Sequence, residues 1–382
     1  MKPTRVLASL DWWLVLIAVA IAWLGVTLID SATSTEHAAG FHGQDLRQVL
    51  GLAVAAAAGL LLILVPYLRI MRLWPYLYAA ALLALVAVLL FGVVRNGSRR
   101  WLGPTSVQIQ PSEFAKLAVI VTLAAYLRLK THAKTWEGLL APLLLTLAPA
   151  VLVLLQPDLS TSLVLWPIWL AMCFVAGAPR RSLVVLLLVA ALGMFLAYKG
   201  LHDYQVARIS VWLDHWSWDD DLSETVRAAL RDKAYQPWQS LIAIGSGGWS
   251  GQGLYEGPQN VNGFLPYRSE DYIFSVACEE LGFLGAAGLL ALQMGLACGC
   301  LAIGARTRER FGRLLCVGVG VMLATQTLVH ASVCAWLLPS TGLPMPLVSA
   351  GRSSLLTTTL SLALVLNVGA RKEPVLASDG FA

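Results

Sequence analysis

Ten stretches of this chain are apolar over close to the length of a bilayer crossing, which points the fold towards a membrane. They fall at 12–30, 48–67, 75–94, 114–127, 138–156, 160–178, 182–198, 272–304, 313–338 and 348–370. Most approach the ~20 residues that a helix needs to traverse the hydrocarbon. Of the 382 residues, 58% are hydrophobic and 13% charged, against about 25% charged in soluble domains. The first window runs on to Asp30 without a distinctive cleavage site and is taken as a span rather than a removed leader. The expected fold is an all-α integral membrane protein of about ten transmembrane helices, forming one domain over residues 1–382. A single long connection, 199–271, separates helices seven and eight.

Charge orients the bundle. The N-terminus and the connections at 68–74, 128–137, 179–181, 305–313 and 371–372 carry fifteen lysines and arginines, whereas the opposite short loops hold Arg47, Arg95, Arg99 and Arg100. The cation-rich side belongs in the cytoplasm. Both termini then lie inside, and 199–271 is extracytoplasmic. The net charge of +5 is explained by this topology and gives no case for a nucleic-acid partner. All six cysteines lie within apolar windows, where neither a disulfide framework nor a zinc spacing is legible.

Four irregular polar segments converge on the outer face. One is 95–120, with arginines, a tryptophan and Gln110-Pro-Ser-Glu113 opening a short helix; another is Gln156-Pro-Asp158-Leu-Ser-Thr-Ser162. A third lies in the long connection, where Trp212, Trp216 and Trp218 suit a segment at headgroup level. There Asp221 and Glu224 have capping-box spacing, and a glycine-rich stretch, IAIGSGGWSGQG, follows at 242–253. The fourth is LPSTGLPMPLVSAGRSS at 338–354, punctuated by proline and glycine. No internal repeat is evident, so an inverted-repeat transporter is not supported.

Ionisable groups at membrane depth are costly and raise a functional hypothesis. Lys116, Glu279 and Glu280 qualify, with Asp158 and Asp271 near the interface. Lys116, Asp158 and Asp271 have a structural alternative. Glu113 and Lys116, three apart on one helix, can pair with each other, and Asp158 and Asp271 can cap helices six and eight. Glu280 lies about 13 Å beyond Asp271 on an ideal helix, so the two do not form an opposed carboxylate pair. Arg99, Arg100, Arg208 and Arg268 suit interfacial anchors and equally a phosphate, which a guanidinium binds through two oxygens. The glycine-rich stretch lacks the ending of a P-loop, although its backbone N–H groups can cradle an anion.

Taken together, the motifs Arg100-Trp-Leu, Gln110-Pro-Ser-Glu-Phe-Ala-Lys116, Gln156-Pro-Asp-Leu159, Gln239-Ser240, Ile242 to Gly248, Gly251-Gln-Gly253, Asp271-Tyr-Ile-Phe274, Glu279-Glu-Leu-Gly282 and Pro346-Leu-Val-Ser349 resemble the SEDS family (shape, elongation, division and sporulation), most closely its RodA branch. The resemblance runs through nearly the whole chain. It implies a peptidoglycan glycosyltransferase that polymerises lipid II at the outer face of the bacterial cytoplasmic membrane. A class B penicillin-binding protein is the implied partner, with undecaprenyl-linked glycan and membrane lipids as the other ligands.

The family's functional aspartate matches Asp271, the implied catalytic residue. Substrate contacts are implied for Arg100, Gln110, Glu113, Lys116, Asp158, Arg208, Gln239, Ser246 and Arg268. Within that reading the glycine-rich stretch borders the cavity above Asp271, close to a sugar pyrophosphate. Arg100 and Lys116 would bind that pyrophosphate, and neutralising either should leave the fold intact. Ala350, Arg352 and the run Tyr267-Arg268-Ser269-Glu270 depart from the family's usual wording. The sequence shows no metal requirement, and it leaves open a divalent cation bridging pyrophosphate and a carboxylate. The rival readings are a lipid II flippase, a division- or sporulation-specific polymerase of the FtsW type, and a non-catalytic scaffold. The small residues at 285–300 are a candidate contact for a partner's single helix.

Overall fold

The structure, a computed structural model, describes residues 3–33, 44–95, 98–104, 108–129, 136–197, 209–213 and 234–371. Arg208, Trp216, Trp218, Asp221 and Glu224 lie outside the described residues. The chain runs α1 (Pro3–Ala8), α2 (Trp12–Thr33), α3 (Gln44–Leu64), α4 (Tyr67–Arg72), α5 (Trp74–Phe91), β1 (Val93–Arg95), β2 (Ser98–Trp101), α6 (Pro111–Leu127), α7 (Trp136–Leu155) and α8 (Leu159–Ala176). It continues through α9 (Arg180–Ala197), α10 (Tyr235–Ser246), α11 (Pro258–Val261), α12 (Ile273–Arg306), α13 (Arg310–Cys334) and α14 (Arg352–Ala370).

Each of the ten apolar windows is a helix. Among the described residues eight of them are long and apolar enough to cross a membrane. α6 falls short at 17 residues, and its first two turns carry Ser112, Glu113 and Lys116. These helices are apolar on every face, as expected where lipid is as apolar as the core. Leu83, Phe91 and Tyr76 of α5 accordingly stay outward-facing.

α13 occupies the middle, packed on α12, α8, α6 and α14, while α3 and α14 pair at one flank and α5 lies outside α6 and α7. The two termini of the described bundle are tied at the end away from the polar segments. Arg306 reaches Asp11 at 3.1 Å, and Arg371 donates to the carbonyls of Ile63 and Leu64 at the C-terminus of α3, where a cation is favoured.

Two features depart from the expected pattern. Between α5 and α6 the chain forms a short antiparallel hairpin, with Val93 opposite Trp101 and Arg95 opposite Ser98, extended by a bridge between Leu102 and Ile109. Strands of three and four residues are too short to carry a legible alternation. The second departure is in α12, expected as one helix, which breaks at Gly282 with φ 67° and ψ −171°.

The break explains the glycine-rich stretch. Phe283 and Leu284 donate backbone N–H groups to the carbonyls of Gly248 and Trp249, and Gln252 and Gly253 donate to those of Glu279 and Glu280. The stretch approaches the opened backbone of α12, not an anion: the N–H groups of Gly251, Gln252 and Gly253 are all taken by carbonyls. Glycine is needed because a Cβ on Gly251 would stand 2.1 Å from the Glu280 carbonyl oxygen.

Gly251→Ala is therefore expected to destabilise the purified protein by about 2 kcal/mol or more. Gly245→Ala, with nothing within 4 Å of the added carbon, should leave the melting temperature unchanged or raised. Thermal unfolding in detergent distinguishes the two.

Candidate active site

The polar segments assemble around Asp158, at the N-cap of α8. The carboxylate is buried, and Oδ1 accepts from the Thr161 N–H at 3.2 Å and the Ser160 hydroxyl at 3.2 Å. Oδ2 accepts from Thr161 Oγ1 at 2.9 Å, Gln110 Nε2 at 3.2 Å and Ser112 Oγ at 3.3 Å. Arg100, delivered by β2, lies 3.8 Å from Oδ1 and donates to the Pro157 carbonyl. The capping role expected as an alternative is thus the one realised. A carboxylate has about four lone-pair sites, so any substrate contact in this cluster falls to the guanidinium of Arg100 or the amide of Gln110.

One turn along α6, Lys116 Nζ meets Glu113 Oε1 at 2.8 Å with both side chains almost fully enclosed. This too is the structural alternative, and it corrects the expectation that Lys116 can be neutralised with the fold intact. Removing one partner of a buried pair strands the other charge.

Asp271 lies at the start of α12, one residue before Tyr272, which occupies the N-cap position without a side-chain cap hydrogen bond. The Asp271 backbone N–H donates to the Tyr267 carbonyl at 2.9 Å, and the residue remains half-exposed.

The preceding segment is clasped by the chain between α13 and α14. Ala350 N–H donates to the Ser269 carbonyl at 2.8 Å, and Ser349 Oγ donates to that of Glu270 at 2.7 Å. Arg268 donates through Nε to the Ala32 carbonyl near the C-terminal end of α2. The same inter-helix segment reaches the Asp158 cluster, where Ser160 Oγ donates to the Thr341 carbonyl at 2.7 Å and Ser353 Oγ accepts from the Gln110 N–H at 2.9 Å. Residues 339–353 therefore join Asp158 and Asp271 into one site.

The remaining expected residues stand further out. Gln239 is half-buried on α10, and the Ser246 hydroxyl turns back to the Ala243 carbonyl at 2.9 Å. Glu279 accepts from the Gln259 and Asn260 N–H groups that open α11. Glu280 accepts from Ser31 and Asn260 side chains. Both serve as posts for the loop 253–262. Sequence reasoning missed Ser112, Ser160, Thr161, Gly342 and His330; the hydroxyl run Ser160-Thr-Ser162 directly after Asp158 was the available signal. Among the described residues no three His, Cys, Asp or Glu side chains form a metal-binding group. A divalent ion at Asp271 would need most of its oxygens from substrate and water, a habit of Mg²⁺.

A multi-pass bundle of apolar helices with buried polar side chains collected where several helices begin defines a membrane protein with a recessed polar site. Residues 11–373 match the sequence profile of the FtsW/RodA/SpoVE cell cycle proteins. Peptidoglycan glycosyltransferase MrdB of Escherichia coli K12 is 35% identical, across 94% of this chain and 93% of that protein. Probable peptidoglycan glycosyltransferase FtsW of Aliivibrio salmonicida is 31% identical across 97% and 91%.

Among solved structures, a chain of a peptidoglycan synthase complex described as coordinating polymerization and crosslinking superposes with a TM-score of 0.76 at 34% identity, covering 94% of this chain and 97% of that one. The rod shape determining protein RodA of Thermus thermophilus gives 0.68 at 32%, covering 94% and 96%. The chain belongs to the FtsW/RodA/SpoVE family, the SEDS peptidoglycan glycosyltransferases.

The buried ion pair makes a quantitative expectation. Lys116→Met should cost about 3–5 kcal/mol, and adding Glu113→Gln should restore most of it. Melting of the single and double variants in detergent checks this; a Lys116→Met melt equal to the parent's would contradict it.

Proposed function

We propose that this chain polymerises lipid II at the outer face of the bacterial cytoplasmic membrane, with Asp271 as the general base. The observation that carries the reading is the contrast among the carboxylates gathered here. Glu113, Asp158, Glu279 and Glu280 are buried on the partners named above, whereas Asp271 and its neighbour Glu270 are partly exposed, and the Asp271 carboxylate lies beside Gly342 of the segment tied to the Asp158 cluster.

A polyprenyl pyrophosphate is already a good leaving group, so the protein's tasks are to orient an acceptor hydroxyl, remove its proton and hold the leaving charge. An Asp271 carboxylate oxygen takes the proton from the acceptor sugar hydroxyl. The acceptor's hydroxyl oxygen, freed of its proton, attacks the donor's anomeric carbon, and the bond from this carbon to the pyrophosphate oxygen breaks. Arg100 offers the departing anion a charge-assisted contact.

An apolar cleft of about 750 Å³ supports a lipid-linked substrate. It is bounded by α3, α4, α5, α6 and α14 and runs up to Leu102, Ile109 and Pro111 beside Gln110. A long isoprenoid would leave its pyrophosphate near the Asp158 cluster. The placement of Arg306, Arg310 and Arg371 at the opposite end supports an inside location for both termini.

Within the family we favour the elongation role, which the likeness to the rod shape determining protein RodA supports. The match to FtsW over 97% of the chain keeps a division role as the second reading. Restoration of rod shape in cells depleted of the elongation polymerase, against restoration of septa in cells depleted of the division polymerase, separates them. A class B penicillin-binding protein is the proposed partner. The open face at Gly288, where an added Cβ meets nothing within 4 Å, suits a partner helix.

The decisive experiment is polymerisation of radiolabelled lipid II by purified Asp271→Asn. Because asparagine keeps the size and much of the hydrogen-bonding capacity of aspartate, the variant should stay folded and lose about 10²- to 10⁴-fold in rate. A near-parental rate would exclude Asp271 as the base and turn attention to Glu270.

A further inference from the structure

We propose that His330 of α13 is a positioning residue that acts on Asp271 through the three residues Thr341, Gly342 and Leu343. The inference rests on the general-base reading of Asp271. The Leu343 carbonyl lies 2.7 Å from His330 Nδ1. A carbonyl can only accept, so Nδ1 carries the proton and the tautomer of the neutral ring is fixed. On the other side, the Thr341 carbonyl accepts from Ser160 Oγ at 2.7 Å. Two carbonyls that flank a single residue are thus pinned from two different helices, α8 and α13.

The pinned residue is Gly342, and it faces the carboxylate. Its φ is +70°, and a Cβ built on it would lie 3.3 Å from Asp271 Oδ2 and 3.5 Å from Oδ1. With a left-handed φ and no side chain, Gly342 leaves that space beside the carboxylate open. The strap therefore forms one wall of the space around the carboxylate, and the position of that wall is set by its two pins.

The pins are rigid for different reasons. Ser160 sits in the first turn of α8 beside the capped Asp158. His330 is 1% exposed within the central helix, and its Nε2 has no hydrogen-bond partner among the described residues. An unpaired polar atom at that depth carries a desolvation cost. The residue's one polar contact is then the bond that holds Leu343, and packing alone would be served as well by leucine. Reaction rates are sensitive to displacements of about 1 Å in a reacting group, so a wall that drifts should lower turnover with little change in substrate affinity.

The test uses the full-length purified chain and steady-state polymerisation of lipid II. His330→Leu keeps volume and removes the donor. His330→Asn places an amide nitrogen where Nδ1 now stands. His330→Leu is expected to lower kcat by about 10- to 100-fold with KM within about twofold, and His330→Asn to recover most of it. In an Asp271→Asn background, His330→Leu should produce no further loss, since a residue acting through Asp271 has nothing left to act on.

Full kcat in His330→Leu, equal losses in the Leu and Asn variants, or an undiminished loss in the Asp271→Asn background would each overturn the proposal. Should His330→Leu fail to fold, Gly342→Ala is read in the same cycle, with the same non-additivity expected and full additivity overturning. An active Asp271→Asn would sink the general-base reading itself. That result is distinct from an inactive Asp271→Asn beside a fully active His330→Leu, which sinks only the positioning role.

Discussion

The carboxylate of Asp158 is the point to which the site is registered. It ends a helix in the one way that an apolar surrounding permits, by giving exposed N–H groups an internal acceptor, and in doing so it gathers the N-cap of α6 and the arginine of β2. Because Ser160 shares its hydroxyl between that carboxylate and Thr341, the same registration passes on to the strap beside Asp271. Helices that drift within a bilayer for want of a hydrophobic drive between them are here keyed by hydrogen bonds at their ends.

The buried carboxylates divide by what they hold. Glu113 holds a lysine within its own helix. Glu279 and Glu280 hold backbone and side-chain donors from the loop around α11, with Ser31 of α2 drawn into the same contact. Each removes a charge or dipole that the interior could not otherwise tolerate. Their burial gives them scaffolding work, and it leaves the half-exposed Asp271 chemically distinct within the same acidic group.

Much of this was legible in the chain. All ten helices were visible as apolar windows because lipid imposes a length that composition alone reveals, and the Glu113–Lys116 pair follows from helical spacing. The N-cap role of Asp158 was available from residue type. What escaped was tertiary. Nothing local to 242–253 says that its N–H groups meet carbonyls of residues 247, 279 and 280, since a turn rich in glycine serves an anion and another backbone equally well. The hairpin at 93–101 was too short to show a period. His330 looked like one more residue of an apolar helix, and its meaning depends on a carbonyl thirteen positions on.

The backbone pairing between the glycine-rich stretch and the opened turn of α12 has a mechanical consequence. Four N–H groups cross between the two segments, two in each direction, and peeling them apart would expose main-chain carbonyls beside a lipid-facing surface that offers no replacement donors. Residues 248–253 therefore travel with the outer half of α12 as one plate. Any opening or closing of the space over Asp271 pivots outside that plate, as along 254–270, and a force applied to the exposed ring pair Trp249 and Phe283 is delivered to the helix that Asp271 precedes.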